Sequence, residues 1–341
     1  MTGAPLCGPL QSIDHLIARH RQAFGAQIRL AIQDAIEPGP LRDFVAALVE
    51  GGLIPDTDTI SVGWLPILAC ESSGSDGGRA LPIAAAWQLI RLAVKLLDDV
   101  EDGDRGVLAA QSKTINAAAA LYSVAHVTLD TACRTGLKSS QIRRMAELFH
   151  HALLAAAAGQ HLDLEARGTA SVLSPDEWFA IAAAKSGALL RWAVVAGALA
   201  AGARRGVTAA LGEYGLCLGI LLQLADDLTD CWWGGAEGDL AAGLLTLPVC
   251  YAFWVAADDE AARLQRLLQA RCQGASSAAG ELEQLLIDMG AQTYLLTVAL
   301  AQRAQALAAL DRAASESGES GQLLLKPLID CVFPAFRGLG V

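Results

Sequence analysis

The chain has 341 residues, of which 53% are hydrophobic, 5% aromatic and 18% charged, and its formal net charge is −11. Alanine and leucine dominate, which favours tightly packed helices over a β-sandwich or a disordered chain. The negative charge, with no local cluster of lysine and arginine, excludes nucleic acid as a partner.

The sequence predicts a cytoplasmic protein without a transmembrane segment. The N-terminus lacks the basic and apolar regions of a signal peptide. The most apolar windows, Leu189–Ala203 and Ala80–Leu97, contain arginine or lysine and fall short of the ~20 apolar residues that span a bilayer. Eight cysteines without a CxxC pair indicate reduced thiols.

The hydrophobic period is helical throughout the chain. It predicts an all-α fold, a bundle of roughly a dozen helices in one domain that spans residues 1–341. The motif Ser174-Pro175-Asp176-Glu177 is typical of a capped helix start. In chain order, the predicted helices cover approximately 11–36, 40–52, 60–72, 80–103, 110–134, 138–167, 175–202, 206–233, 243–256, 258–272, 277–313 and 319–336.

Two aspartate-rich motifs each end a long apolar helix. They are Asp98-Asp99-Val100-Glu101-Asp102 and Asp226-Asp227-Leu228-Thr229-Asp230. In both, the first and fifth residues share one face of the helix. Mg²⁺ prefers such hard oxygen ligands and bridges carboxylates to phosphates. A solvated helix end would explain one motif alone, but two matching motifs indicate a metal site.

Paired carboxylate clusters at the end of an apolar bundle suit the ionisation of a diphosphate ester. A diphosphate leaves only when its charge is neutralised, and metal ions held between carboxylates and phosphate oxygens stabilise it. The carbocation that remains needs a dry apolar cavity, which alanine- and leucine-rich helices can supply.

These motifs resemble the trans-isoprenyl diphosphate synthases and related isoprenoid synthases, over roughly residues 40–250. Further stretches match the family in order: Gly159–Leu164 (GQHLDL), Lys185–Leu189 (KSGAL), Gly219–Asp230, and Gly238–Leu240 followed by Thr246–Pro248. The resemblance implies a helical bundle around a deep apolar cavity, a homodimer, and a prenyl diphosphate substrate with Mg²⁺, three ions in all.

The resemblance also implies roles for individual residues. Magnesium ligands are Asp98, Asp102, Asp226 and Asp230. The allylic diphosphate is contacted by Lys185 and Arg105, with Gln223 and Gln160 nearby and Asp99 and Asp227 as further candidates. The alternatives are a solvated charge for Lys185, core amides for the two glutamines, and a helix-terminal cation for Arg105.

One part of the family pattern is missing. Chain-elongating members hold a second diphosphate with a basic GGKRxRP segment, but no lysine, arginine or histidine occurs between Arg42 and Arg79. Arg91, seven residues before Asp98, is the one candidate replacement. Each lost charge-assisted contact costs roughly 1.5–3 kcal/mol, so binding of a second diphosphate should be weak.

We therefore expect a terpene synthase on a prenyltransferase-like fold, in which an ionised allylic diphosphate cyclises or loses a proton. The alternatives are a chain-elongating polyprenyl diphosphate synthase that uses isopentenyl diphosphate, a prenyltransferase acting on a peptide or other acceptor, and a non-catalytic subunit of a heteromeric synthase. The small residues Ala93 and Val94 predict a deep cavity for a substrate of about C15–C25, with C20 favoured. Close helix packing is the other explanation for their size.

Overall fold

The computed structural model describes residues 9–53, 60–101, 111–167, 173–232, 246–273, 275–317 and 324–339. Within these residues every regular element is helical and no strand occurs, which confirms the predicted all-α fold. Short 3₁₀ turns precede or follow several helices, and one π-helical turn lies in the middle of the chain.

The α-helices are named in chain order. They are α1 (Pro9–Ala35), α2 (Pro40–Gly52), α3 (Leu65–Ser72), α4 (Leu81–Glu101), α5 (Gln111–Asp130), α6 (Ser139–Arg167), α7 (Pro175–Ala182), α8 (Ala188–Ala201), α9 (Arg205–Trp232), α10 (Leu247–Val255), α11 (Asp258–Cys272), α12 (Ser276–Asp288), α13 (Ala291–Ser317), α14 (Lys326–Val332) and α15 (Phe336–Leu339). The 3₁₀ turns are Val62–Trp64, Gly77–Ala80 and Thr131–Thr135, and the π turn is Ala183–Gly187.

The chain divides into two compact units, each assembled from separate stretches of sequence. The expectation of one domain over residues 1–341 stays a prediction. The first unit comprises Met1–His150, Trp192–Glu213 and Ala309–Cys331, and the second comprises His151–Arg191, Tyr214–Ala308 and Val332–Val341.

The first unit is organised around α4, which is buried along most of its length. The indole of Trp87 donates a hydrogen bond to the carbonyl of Val62 at 2.8 Å, and this bond ties α4 to the 3₁₀ turn before α3. Trp87 also lies 6.3 Å from Trp192, whose ring is 4.7 Å from Phe149, measured between centroids. These aromatic contacts fix the site-bearing helix in its unit.

The second unit has its own apolar core, formed where α10, α11 and α12 pack together. Val249, Leu264, Leu282 and Leu286 are its buried members from these helices. Burying one such side chain stabilises the fold by about 1.5–3 kcal/mol. This core holds α10 in place, and α10 begins directly beside the second aspartate motif.

Three helical stretches are long and apolar enough to cross a membrane by length and composition. In their most apolar windows, 72%, 56% and 67% of the residues are buried inside the protein. Packing against other helices therefore accounts for much of their apolar character, and the absence of a transmembrane segment stays a prediction. The stretches are Gly77–Glu101, Pro175–Ala201 and Arg205–Trp232.

Local signals predicted some helix boundaries and missed others. The capping box is confirmed, because Ser174 Oγ accepts from the Glu177 N–H while the Glu177 carboxylate accepts from the Ser174 N–H. The single helix predicted over 277–313 is wrong. It breaks at Gly290, whose φ of +79° ends α12 in the left-handed conformation that glycine adopts without strain.

Candidate active site

The first aspartate motif lies at the C-terminal end of α4, in the first unit. The structure describes Asp98 and Asp99, while Asp102 and Arg105 lie outside the described residues. Asp99 Oδ1 accepts from Lys95 Nζ at 2.9 Å, which commits that carboxylate to an ion pair along the helix surface. Asp98 is partly exposed in the last turn of α4, and its role as a metal ligand stays a prediction.

A tyrosine of α5 lies close to this acidic helix end. Partial burial raises the pKa of the Tyr122 phenol, and the negative charge of Glu101 raises it further. Tyr122 is therefore a neutral hydrogen-bonding group near the motif at physiological pH. No sequence pattern indicated Tyr122, because its nearness to Glu101 depends on how α5 packs on α4.

Three more predicted site residues lie on α4. Arg91 is partly buried, and its Nη1 donates to Gln88 Oε1 at 2.6 Å. Ala93 is fully buried, as close helix packing requires, whereas Val94 is only partly buried. Val94 is therefore the better candidate of the two for contact with a substrate, and its role in cavity depth stays a prediction.

The second aspartate motif ends α9, in the second unit. Asp226 is exposed and Asp230 partly exposed, so both offer carboxylate oxygens at the surface of the unit. Asp227 is buried, and its Oδ2 accepts from the backbone N–H of Leu247 at 2.5 Å. Asp227 thus holds the first turn of α10, a role that its place in the motif did not indicate.

Replacing Asp227 with alanine should lower the free energy of unfolding by about 1.5–3 kcal/mol. The reason is that the buried N–H of Leu247 would lose its charged acceptor. Chemical denaturation measures this loss. The exposed neighbour Asp226 is the matched control, and Asp226→Ala should change stability by less than about 0.5 kcal/mol. Equal losses in the two variants would contradict the capping role.

Lys185 lies on the π turn between α7 and α8. Its Nζ is 3.3 Å from Asp163 Oδ2, and both side chains are mostly buried, with 17% and 23% exposed. π turns inserted into helices occur often at functional sites. Asp163 lies in the GQHLDL stretch of α6, yet sequence reasoning assigned it no role.

Two glycines bring the π turn directly against α9. A Cβ on Gly219 would lie 2.6 Å from the Cα of Gly187, so only glycine permits this approach of the two backbones. Gly219 precedes Gln223 by one turn and Asp226 by two on the same helix. Lys185 and the second motif are therefore carried by elements in direct backbone contact.

The pKa of the Cys250 thiol on α10 is affected by several carboxylates of the second unit. Burial raises its pKa far above the usual range, and the carboxylates of Asp227, Glu177 and Asp163 raise it further. Asp163 and Asp227 therefore act on the same buried thiol. Through its ion pair with Asp163, Lys185 belongs to the same group of charges.

The two predicted glutamines also lie in the second unit. Gln160 is on α6 and Gln223 on α9, and both are partly buried. Gln160 is three residues before Asp163, which puts the two side chains on one face of α6. The second unit thus contains the ion pair of Lys185 with Asp163 and the buried Asp227, while contact of either glutamine with a substrate stays a prediction.

Comparison with known proteins agrees with these motifs. A family model described as polyprenyl synthetase matches residues 63–285. The chain is 30% identical over 250 residues to the short chain isoprenyl diphosphate synthase of Methanothermobacter thermautotrophicus, covering 69% of this chain and 74% of that protein. It is 33% identical over 195 residues to the geranylgeranyl diphosphate synthase of Mycobacterium tuberculosis, covering 54% and 55%.

Solved structures share the fold over nearly the whole chain. Polyprenyl synthetase from Streptomyces coelicolor A3(2) superposes with a TM-score of 0.76 at 23% identity, covering 94% of this chain and 99% of that one. Polyprenyl synthase from Caulobacter crescentus CB15, solved with calcium and isoprenyl diphosphate, also gives 0.76 at 24% identity, covering 94% and 97%. With the match to the family model, which covers well over half of the sequence, the chain belongs to the polyprenyl synthetase family.

Proposed function

We propose that the chain is a magnesium-dependent prenyltransferase that condenses an allylic prenyl diphosphate with isopentenyl diphosphate. The main support for this proposal is the sequence similarity to proteins named as short chain isoprenyl and geranylgeranyl diphosphate synthases. These names support chain elongation better than the cyclisation or deprotonation that the sequence analysis favoured. Both reactions begin with the same ionisation, for which the two aspartate motifs are suited.

The described carboxylates fit a divalent metal. Asp98 and Asp230 are partly exposed and Asp226 is exposed, so solvent and ions can reach their carboxylates. Oxygen donors of this kind suit Mg²⁺, which would neutralise the charge of the departing diphosphate. We propose that these three aspartates and Asp102 bind Mg²⁺, with three ions in the complete site.

The proposed reaction balances in three steps. The C1–O bond of the allylic diphosphate breaks, and both electrons leave with the diphosphate. The double bond of isopentenyl diphosphate attacks the cation to form a carbon–carbon bond, and loss of one proton restores an alkene. Lys185, held by Asp163, would donate to the allylic diphosphate, and the apolar helices would exclude water from the cation.

One observation favours a second candidate function, that of a terpene synthase. The stretch from Asp43 to Gly78 contains no lysine, arginine or histidine, and its residues Val62, Gly63, Trp64 and Leu65 are buried and uncharged. A protein that holds a second diphosphate poorly would let the cation cyclise or lose a proton, as in a terpene synthase.

One incubation series separates the candidates. Purified protein would be given C10, C15, C20 and C25 allylic diphosphates with Mg²⁺, with and without isopentenyl diphosphate, and products would be identified by mass spectrometry. Longer diphosphates formed only with the C5 partner would support elongation. Hydrocarbon formed without it would support the second candidate, and no consumption would indicate a non-catalytic subunit. Chelation should abolish turnover, and added Mg²⁺ should restore it.

Substrate length gives a further prediction. We propose a C15–C25 allylic substrate, C20 first among them, because position 94 carries a small, partly buried side chain. Val94→Phe should shift the preferred substrate or product down by about one C5 unit, while Val94→Ala should leave it unchanged or longer. Overpacking costs about 1–3 kcal/mol, so thermal melting must accompany the assay. Unchanged chain length in a folded Val94→Phe variant would contradict a cavity role.

We propose further that the protein acts in the cytoplasm as a homodimer, as the family resemblance implies. Sedimentation equilibrium at micromolar concentration tests the dimer, and a monomer under these conditions would contradict it.

A further inference from the structure

Gln88 is a fully buried amide on α4, one turn before Arg91. Arg91 Nη1 donates to Gln88 Oε1 at 2.6 Å. A guanidinium can only donate hydrogen bonds, so the amide oxygen must face Arg91 and the amide nitrogen must face away. The orientation of this buried side chain is therefore fixed by its partner.

The amide nitrogen of Gln88 lies against the backbone of Gly63. A Cβ built on Gly63 would lie 2.3 Å from Nε2 and 2.9 Å from Cδ. The neighbouring bond from Trp87 to the Val62 carbonyl keeps this turn on α4. Any side chain at position 63 would therefore displace the Gln88 amide, and with it the acceptor for Arg91.

The amide of Gln88 lowers the stability of the fold at this buried position. Its Nε2 is buried and has no hydrogen-bond partner among the described residues. A leucine of similar volume would avoid the penalty of a buried unsatisfied donor. The presence of glutamine therefore indicates that its oxygen, the atom in contact with Arg91, has a function.

We propose that Gln88 is a positioning residue that holds the Arg91 guanidinium for the diphosphate of isopentenyl diphosphate, and that Gly63 keeps the space for it. Arg91 is seven residues before Asp98, which places it on the same side of α4 and about 10 Å closer to its N-terminus. Since the sequence from Asp43 to Gly78 contains no cation, one ordered guanidinium carries the interaction. This inference rests on the proposed elongation function.

The test is a cycle of variants in the full chain, read by calorimetric titration with isopentenyl diphosphate and by steady-state kinetics. Gln88→Leu should weaken binding of isopentenyl diphosphate by about tenfold to a hundredfold, the range for losing an ordered charge-assisted contact. The KM for the allylic diphosphate and kcat at saturation should stay within about twofold. In an Arg91→Gln background, Gln88→Leu should have no further effect, because Gln88 acts through Arg91.

Gly63→Ala provides an independent variant that leaves Gln88 in the sequence but displaces its amide. It should weaken isopentenyl diphosphate binding at least about fivefold, and the effect should vanish in a Gln88→Ala background, where the added methyl has room. Thr128→Val is the packing control. Thr128 is buried in the same unit, and its hydroxyl donates to the carbonyl of Val124 on the same helix. Loss of this hydroxyl should leave both KM values unchanged.

Two results would overturn the inference. One is a double variant in which the losses of isopentenyl diphosphate affinity from Gln88→Leu and Arg91→Gln multiply, which would show that the two residues act independently. The other is an equal rise of both KM values, which would show a general packing defect. Failure of the wild-type protein to bind isopentenyl diphosphate would instead remove the proposed function, and this inference with it. If Gln88→Leu does not fold, Gly63→Ala decides between these outcomes.

Discussion

Asp98→Asn should lower kcat by about a hundredfold to a thousandfold while leaving the fold intact. The exchange would remove one of the carboxylates that we propose as Mg²⁺ ligands at the end of α4, and with it part of the charge that would hold the metal against the leaving diphosphate. Diphosphate release from the allylic substrate measures the loss. Raising the Mg²⁺ concentration should recover part of it, since the variant binds the metal more weakly.

The control for this exchange is an aspartate in a similar setting but without a predicted role. Asp130 is exposed at the C-terminal end of α5, in the same unit, so Asp130→Asn makes the same chemical change there. It should keep kcat within about twofold of the wild type, as expected of a surface exchange. A kcat for Asp98→Asn within tenfold of the wild type, at limiting Mg²⁺, would rule out a metal-binding role for Asp98.

Gly219→Ala should reduce both stability and turnover, although it adds only one methyl group. The added Cβ would lie within 2.8 Å of backbone atoms of Ser186 and Gly187, and backbone cannot rotate out of the way. Overpacking of this kind costs about 1–3 kcal/mol. It should also shift the π turn that carries Lys185, and a displacement of about 1 Å at a site can cost about a hundredfold in rate.

A second glycine in the same unit offers a control in which the same exchange should raise stability instead of lowering it. Gly280 lies on the exposed side of α12, and a Cβ there would meet no atom within 4 Å. Gly280→Ala should therefore stabilise the protein by about 0.5–1 kcal/mol through helix propensity, with turnover unchanged. If Gly219→Ala also proved neutral, the close backbone contact would not be essential for the site.

The sequence predicted the helices well wherever local rules control them. Apolar periodicity and the Ser174 capping box located α7, because both signals depend on residues a few positions apart. The π turn at Ala183–Gly187 could not be predicted in this way. It packs against α9 through Gly187 and Gly219, which lie about thirty positions apart, and a contact at that separation leaves no local pattern.

The candidate site shows the same division. The aspartate motifs could be named from residue type and spacing, since metal and phosphate chemistry restricts which side chains can serve, and the family resemblance added Lys185. Asp163 and Gln88 could not be assigned, because their importance lies in a partner on a neighbouring element or one turn away, Lys185 and Arg91 respectively. Asp227 was a candidate for contact with the allylic diphosphate, and that role stays a prediction. Its hydrogen bond to the first turn of α10 could not be foreseen, because burial is not visible in a motif.

The π turn has a consequence for comparing this protein with others. A π turn contains one residue more than the α-helical turn that it replaces, so every residue after Gly187 is rotated by about 100° relative to an uninterrupted helix. An alignment with a regular helix therefore needs a one-residue gap at this point. Insertion or deletion of a single codon could create or remove the bulge, and with it the placement of Lys185.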